Sequence, residues 1–257
     1  MFASTHHHAI LDQFTRQAVP FSTAPGIRDE EALRRLVEAS GAGRDDTVLD
    51  VACGPGLVAA AFARVCRHVT GIDLTPAMIE RGQALADERG LDNVTLTVGD
   101  VLPLPYADGA FSLAVSRFAF HHFLDPGAVL REMARVCRSG GRVVVADASP
   151  DPARAAAFNR MEKLRDPSHV RALPLPEMVA LFADAGLGAP AVTRYRLASD
   201  LDGLLSRSFP NPGDAERVRD LFRASLADDA LGVEARERDG RIDFAYPISI
   251  LVAPRGR

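Results

Sequence analysis

Three aspartates close apolar runs in the first half of the chain. Asp50 lies in Thr47-Val48-Leu49-Asp50-Val51-Ala52-Cys53-Gly54-Pro55-Gly56, Asp73 in Gly71-Ile72-Asp73-Leu74-Thr75-Pro76, and Asp100 in Val98-Gly99-Asp100-Val101. A carboxylate inside an apolar strand is expensive to bury unless something pairs with it. A pyrophosphate would be repelled by Asp50. A ligand bearing an ammonium group would be held by it, directly or through water. Asp73 ends its strand where an acidic residue can accept both hydroxyls of a ribose. Gly54 and Gly56 allow a tight turn and close backbone approach, and the helix that follows offers unpaired N–H groups. His121 and His122 are the candidate general bases, since imidazole can accept a proton from oxygen, nitrogen or an activated ring carbon. His169, among the charges of Arg165–Arg171, is a weaker candidate for touching substrate.

These residues need a frame that gathers strand ends. Val48–Val51 reads as a strand buried on both faces. A helix over Leu57–Arg67, a strand Val69–Ile72 and a helix Pro76–Gly90 follow, the last with Thr75 as N-cap. Strands Val94–Val98 and Phe111–Val115, a helix Pro126–Cys137 and a strand Arg142–Ala146 complete the alternation. Such a pattern predicts a parallel sheet with helices on both faces and a ligand at the C-terminal strand ends. Before it, Ile10, Leu11, Phe14 and Ala18 have helical spacing over His8–Ala18, broken at Pro20 and Pro25-Gly26. Phe14, Arg16 and Gln17 put an aromatic, a cation and an amide within one turn of that helix. Arg28–Ser40 forms a second helix, stopped by Gly41-Ala42-Gly43. After the alternation, residues 150–176 are less regular. A helix Pro176–Gly186, helical segments near Leu201–Arg207 and Ala215–Leu226, and closing strands Ala191–Leu197 and Phe244–Ala253 end the chain.

Gly54-x-Gly56-x-x-Ala59 satisfies the dinucleotide fingerprint literally, which keeps an NAD(P)-dependent oxidoreductase open. That reading leaves Asp50 and Asp100 unexplained. A short-chain reductase also needs Tyr-x-x-x-Lys, and no lysine stands four residues after Tyr106, Tyr195 or Tyr246. S-adenosylmethionine carries the ammonium group that suits Asp50. The stretch resembles the first motif of class I S-adenosylmethionine-dependent methyltransferases, hydrophobic-hydrophobic-Asp/Glu-hydrophobic-Gly-x-Gly-x-Gly, with Ala52 in the first glycine position. The form Val-Leu-Asp-Val-Ala-Cys-Gly-x-Gly is most similar to the branch with ubiquinone and menaquinone biosynthesis methyltransferases.

The resemblance is specific over Asp46 to Asp147. It implies a Rossmann-like α/β fold with a seven-stranded, mostly parallel sheet, an antiparallel last strand and an N-terminal helical lid. One domain would comprise a lid (residues 1–45), a cofactor-binding core (46–147) and substrate-side helices with closing strands (148–257). The resemblance further implies that S-adenosylmethionine contacts Asp50, Ala52, Gly54, Gly56, Asp73, Leu74, Gly99, Asp100, Val101 and Arg117, with Asp100 receiving the adenine amino group. Phe14, Arg16, Gln17, Phe118 and His169 would enclose the acceptor, and His121 or His122 would act as base. A protein of this fold that binds the cofactor without transferring methyl carries the same motif, so that reading also stays open.

With 257 residues, 47% hydrophobic and 25% charged, the chain can bury a full α/β core. A net charge of -4 argues against a general binder of nucleic acid or anionic membrane. No apolar run reaches membrane-spanning length. Cys53, Cys66 and Cys137 have no metal spacing and read as reduced core thiols of a cytoplasmic protein. No metal is expected. Lys163 is the only lysine, so no P-loop exists and Schiff-base chemistry has one candidate. His6-His7-His8 is given no role. Phe118, Phe120 and Phe123 lean the acceptor toward an aromatic, polyketide or lipid-like small molecule.

Overall fold

The computed structural model describes residues 2–23, 26 and 28–256, with side chains from residue 5 onward except 21–23. Pro25, half of the expected helix break, lies outside the described residues. The strands are β1 (Thr47–Val51), β2 (His68–Asp73), β3 (Val94–Val98), β4 (Phe111–Arg117), β5 (Cys137–Ala148), β6 (Ala191–Asp200), β7 (Arg236–Arg238) and β8 (Arg241–Pro254). They form one sheet in the order β3-β2-β1-β4-β5-β8-β6, with β7 paired to β8. The first five strands in that order are parallel, and β8 runs antiparallel between β5 and β6. The sheet therefore has eight strands rather than seven. The extra one is a short polar strand joined to β8 by Asp239-Gly240, both at positive φ. Asp-Gly is a strong two-residue hairpin signal.

Strand order reverses between β1 and its two neighbours. Asp50 sits at that switch, in register with Gly71 of β2 and Val115 of β4. The helices α2 (Glu30–Ser40), α3 (Leu57–Ala63), α4 (Pro76–Glu88), α5 (Pro126–Val136) and α7 (Leu175–Asp184) flank this region. Leu49 and Val51 pack with α5 and α7, whereas Val48 packs with α2 and α3. Both faces are buried, which explains why Val48, Leu49 and Val51, pointing to opposite faces, are all apolar. By strand alternation Asp50 belongs to the face of Val48, beside the start of α3.

Several boundaries differ from expectation. The first helix, α1 (Phe2–Thr23), starts earlier and runs through Pro20. Proline forfeits one N–H bond there, but it sits in the last turn, where little helix remains to disrupt. Thr75 makes no side-chain cap; its N–H is taken by Asp73 instead. Residues 150–176 contain a regular helix, α6 (Ala155–Arg165). Its buried face carries Glu162 beside Phe158 and Met161, so apolar periodicity does not reveal it. With α8 (Leu201–Ser206) and α9 (Asp214–Ser225), α6 covers the C-terminal part of the sheet.

Candidate active site

Between β1 and α3 the backbone adopts left-handed φ three times, at Ala52 (56°), Gly54 (50°) and Gly56 (72°). Only Ala52 carries a Cβ there, a strain of roughly 1–2 kcal/mol. A Cβ at Gly56 would stand 3.2 Å from Gly82 Cα of α4, so this glycine packs two helices together. The turn is fixed from the next strand. Gly54 N–H donates to Asp73 Oδ2 at 2.8 Å and Thr75 N–H to Asp73 Oδ1 at 2.9 Å.

Asp50 is 1% exposed, and its Oδ2 has no hydrogen-bond partner among the described residues. Burial raises its pKa to about 7, with the N–H of Ala59 and, more weakly, Arg117 acting against that rise. An orphaned buried carboxylate oxygen beside a helix start fits the ammonium group of S-adenosylmethionine, and would be ionised by it.

A cavity of about 320 Å³ lies over this turn. Ala52, Gly54, Asp73, Leu74, Asp100, Val101 and Arg117 line it; Asp50, Gly56 and Gly99 do not. Gly99 instead donates its N–H to the Asp73 carbonyl at 2.9 Å, and a Cβ on it would meet Ile72 at 2.9 Å. Gly99 and Gly56 shape the cavity from behind it.

Arg117 ends β4 and Phe118 follows it. The Arg117 guanidinium stacks 4.1 Å from the centre of the Phe118 ring, and Phe118 has a φ of 58°. A bulky residue in that region is an outlier that its surroundings must enforce. The 3₁₀ turn Phe120–His122 follows.

The two histidines of that turn differ. His121 Nδ1 lies 2.6 Å from Oδ1 of Asp147, whose Oδ2 accepts the His121 backbone N–H at 3.2 Å. A carboxylate can only accept, so Nδ1 carries the proton and Nε2 holds the free lone pair. Burial opposes charge on this imidazole, but Asp147 outweighs it and the His121 pKa is raised. His122 Nδ1 donates toward the Ser168 carbonyl at 3.2 Å. Burial, reinforced by His121, depresses the His122 pKa to about 3. His169 gives Nε2–H to Asn159 Oδ1 at 2.8 Å, and burial depresses its pKa as well.

A second cavity, of about 140 Å³, opens on the far side of this turn. His121, Asp147 and His169 line it alone, and Phe14, Phe118 and His122 line both cavities. Those three residues form the junction. Phe14 and His122 meet edge-on with ring centres 5.0 Å apart.

The first helix covers the junction. His6 Nε2 lies 2.7 Å from the His122 carbonyl, and His7 pairs with Asp100 at 3.6 Å. Gln17 is buried against Asp166 and faces the second cavity. Arg16 does not reach either cavity. It pairs with Asp12 and lies over the Phe209 ring, because one helical turn cannot point Phe14, Arg16 and Gln17 the same way.

Residues 49–145 match the family described as methyltransferase domain. The chain is 31% identical over 206 residues to the uncharacterized methyltransferase YcgJ of Bacillus subtilis, covering 79% of this chain and 81% of that one. The chain belongs to the methyltransferase family. It is an S-adenosylmethionine-dependent methyltransferase. The crystal structure of YcgJ superposes with a TM-score of 0.81 at 26% identity, over 89% of this chain and 99% of that one. A ubiquinone/menaquinone biosynthesis C-methyltransferase of Bdellovibrio bacteriovorus is 41% identical over 114 residues, 44% of this chain and 48% of that one.

Sequence reasoning about this methyltransferase missed residues of two kinds. His6 and His7 received no role, although His6, Ile10 and Phe14 recur every four residues and so share a helix face. The second cavity's polar wall of Glu162, Asp166 and Tyr246 left no sequence signal, because α6 and β8 bring it together from distant segments. Lys163, the lone lysine, donates to the carbonyls of Pro167 at 2.8 Å and His169 at 2.6 Å. It braces the loop that carries His169.

Proposed function

We propose that the cavity over the glycine turn holds S-adenosylmethionine and the second cavity holds the acceptor, with methyl transfer at Phe14, Phe118 and His122. The observation that carries this reading is the shared wall. A donor cavity backed by the orphaned carboxylate of Asp50, which lies just behind its lining, adjoins a separate cavity lined by an oriented imidazole. Asp50 would hold the amino group, Asp73 the ribose through its remaining lone pairs, and Asp100 with Val101 the adenine. S-adenosylmethionine supplies the activated methyl group and its leaving group. The protein's own part is alignment, exclusion of water and proton removal.

His121 is the general base and Asp147 its positioning residue. His121 faces only the acceptor cavity, and Asp147 stabilises the imidazolium that forms. His122 stays neutral and shapes the junction. Arg117 and Phe118 wall the donor site, and α1 is its lid.

The same reading takes the chain as one domain of lid, core and substrate-side layer. No described helix is long and apolar enough to cross a membrane. The three buried free cysteines support a reducing, cytoplasmic setting, and the net charge of -4 supports a small-molecule rather than a nucleic-acid partner.

Calorimetry with S-adenosylhomocysteine and with NADP tests the donor site. Transfer of labelled methyl from S-adenosylmethionine to a panel of small acceptors tests the reaction. Tight NADP binding with no response to S-adenosylhomocysteine would end the proposal.

A further inference from the structure

The second cavity differs from the first in how little of its polar wall remains free. Glu162 Oε1 accepts from the Tyr246 hydroxyl at 2.9 Å, and its Oε2 accepts from Arg165 Nη2 at 2.6 Å. Asp166 Oδ1 accepts from the Ser168 hydroxyl at 2.6 Å, and its Oδ2 from Gln17 at 3.3 Å. Asn159 does not line the cavity and is fully engaged by His169 Nε2, the Ala172 N–H and the carbonyls of Ala155 and Ala172. Arg207, the remaining charge of the lining, is partly exposed and needs no partner from a ligand. The rest of the wall is mostly apolar, with Phe118, Phe158, Leu204 and Ile248, but it also carries Ser199, Ser208 and His169, whose buried Nδ1 has no partner among the described residues.

A polyol in this cavity would strand its hydroxyls, at roughly 1–3 kcal/mol for each unsatisfied group. The lone pair on His121 Nε2 serves one hydroxyl, and the unpartnered Nδ1 of His169 can accept from at most one more polar group of the ligand. The groups facing His121 are Asp147 from β5, His122 on its own turn, His169 from the loop after α6, and Glu162 and Arg165 from α6. Glu162 and Arg165 neutralise each other and the two other histidines are neutral, so Asp147 is the counter-ion for a proton placed on His121.

Size completes the description. An apolar cavity of roughly 150 Å³ holds one benzene, and this one measures about 140 Å³. A bicyclic, macrocyclic or long-chain body would have to extend out of it.

We propose that the acceptor is a single-ring phenol, seated with its ring between Phe118, Phe158 and Leu204 and its hydroxyl on His121 Nε2. This rests on the methyl-donor reading above and narrows it to one acceptor class. The step assigned to the protein is a proton transfer. The phenol O–H bond breaks, the proton goes to Nε2, and the oxygen keeps the electron pair with which it accepts the methyl group.

The test needs no turnover. The protein is saturated with S-adenosylhomocysteine, whose own binding is measured by calorimetry, and titrated with 4-nitrophenol at a pH where the free probe is mostly protonated. The yellow phenolate band should grow with binding, because the phenolate pairs with the His121 imidazolium that Asp147 stabilises, whether the imidazolium's proton comes from the probe or from solvent. His121→Gln should bind the probe without the band, a loss that a merely structural histidine would not produce. 2-Naphthol should not compete with the wild-type protein but should compete with Leu204→Ala, and Phe158→Ala provides a second enlargement if Leu204→Ala fails to fold. S-adenosylhomocysteine binding with no uptake of 4-nitrophenol, uptake without the band in wild type, or equal competition by 2-naphthol would each overturn the phenol assignment and leave the methyl-donor reading standing. No binding of S-adenosylhomocysteine would overturn both.

Discussion

The Gly54 N–H donates to Oδ2 of Asp73 at 2.8 Å, so the carboxylate proposed to meet the ribose also holds the glycine turn. Its other oxygen holds the start of α4 through the Thr75 N–H. Asp73→Ala should therefore lose folding stability as well as cofactor affinity. Charge-assisted bonds of this kind contribute about 1.5–3 kcal/mol each. Melting curves and calorimetry with S-adenosylhomocysteine, run on the same sample, check this. Lost affinity at an unchanged melting temperature would mean that the turn holds itself.

Ala52 makes a separate prediction. Its φ of 56° is one that glycine adopts freely. Ala52→Gly should relieve about 1 kcal/mol of strain, partly offset by the greater chain entropy of glycine. The expected result is a melting temperature equal to or a few degrees above wild type, with cofactor affinity retained. A clear fall would show that the methyl of Ala52 contributes packing the backbone strain does not outweigh.

Acid should expose His122. Its pKa of about 3 lies below the ordinary 6.5, so between those values the unfolded chain binds a proton that the folded chain refuses. Stability from this residue is complete above pH 6.5 and falls by about 1.4 kcal/mol per pH unit below it. His121 works in the opposite sense, because its raised pKa gives stability that is present at lower pH and lost as pH rises through the raised value. His122→Gln removes only the first contribution. The stability gap between variant and wild type should therefore shrink on acidification, as followed by denaturant unfolding across that range.

The lid gives a contrast between neighbours. Phe14 stands at the junction of the two cavities, and Arg16 lies on Phe209. Phe14→Ala should lower turnover by ~10-fold or more through lost alignment. Arg16→Ala should leave turnover within about twofold, since surface changes of this kind rarely exceed 0.5 kcal/mol. Equal losses in steady-state kinetics would mean that helix stability, not position, is what the first helix supplies.

Much of this fold is legible in the chain because local rules agree with global ones. The run Val48–Val51, the glycines after it and the alternation to Ala146 each predict the observed parallel sheet. The donor cavity is legible for the same reason, since its residues sit in strand-to-helix turns. The acceptor cavity is not. Glu162 is an unexceptional helix residue until Tyr246, 84 positions later, gives it a hydroxyl. Asp147 reads as one more strand-end carboxylate, and only the fold sets it 2.6 Å from His121 rather than His122. Arg16 lies outside both cavities, because residue types within one turn say nothing of direction.

The lone lysine has a practical consequence. Lys163 is the sole side-chain amine of the chain, it is exposed, and its ammonium braces the Pro167 and His169 carbonyls. Apart from the chain's α-amine, a fluorophore attached through lysine chemistry therefore lands at one place, on α6 beside the loop that carries His169. Its emission would sense that loop's motion as small molecules come and go, without any engineered cysteine. Crowded surface coupling through the same amine would instead tether the protein beside the loop it needs free.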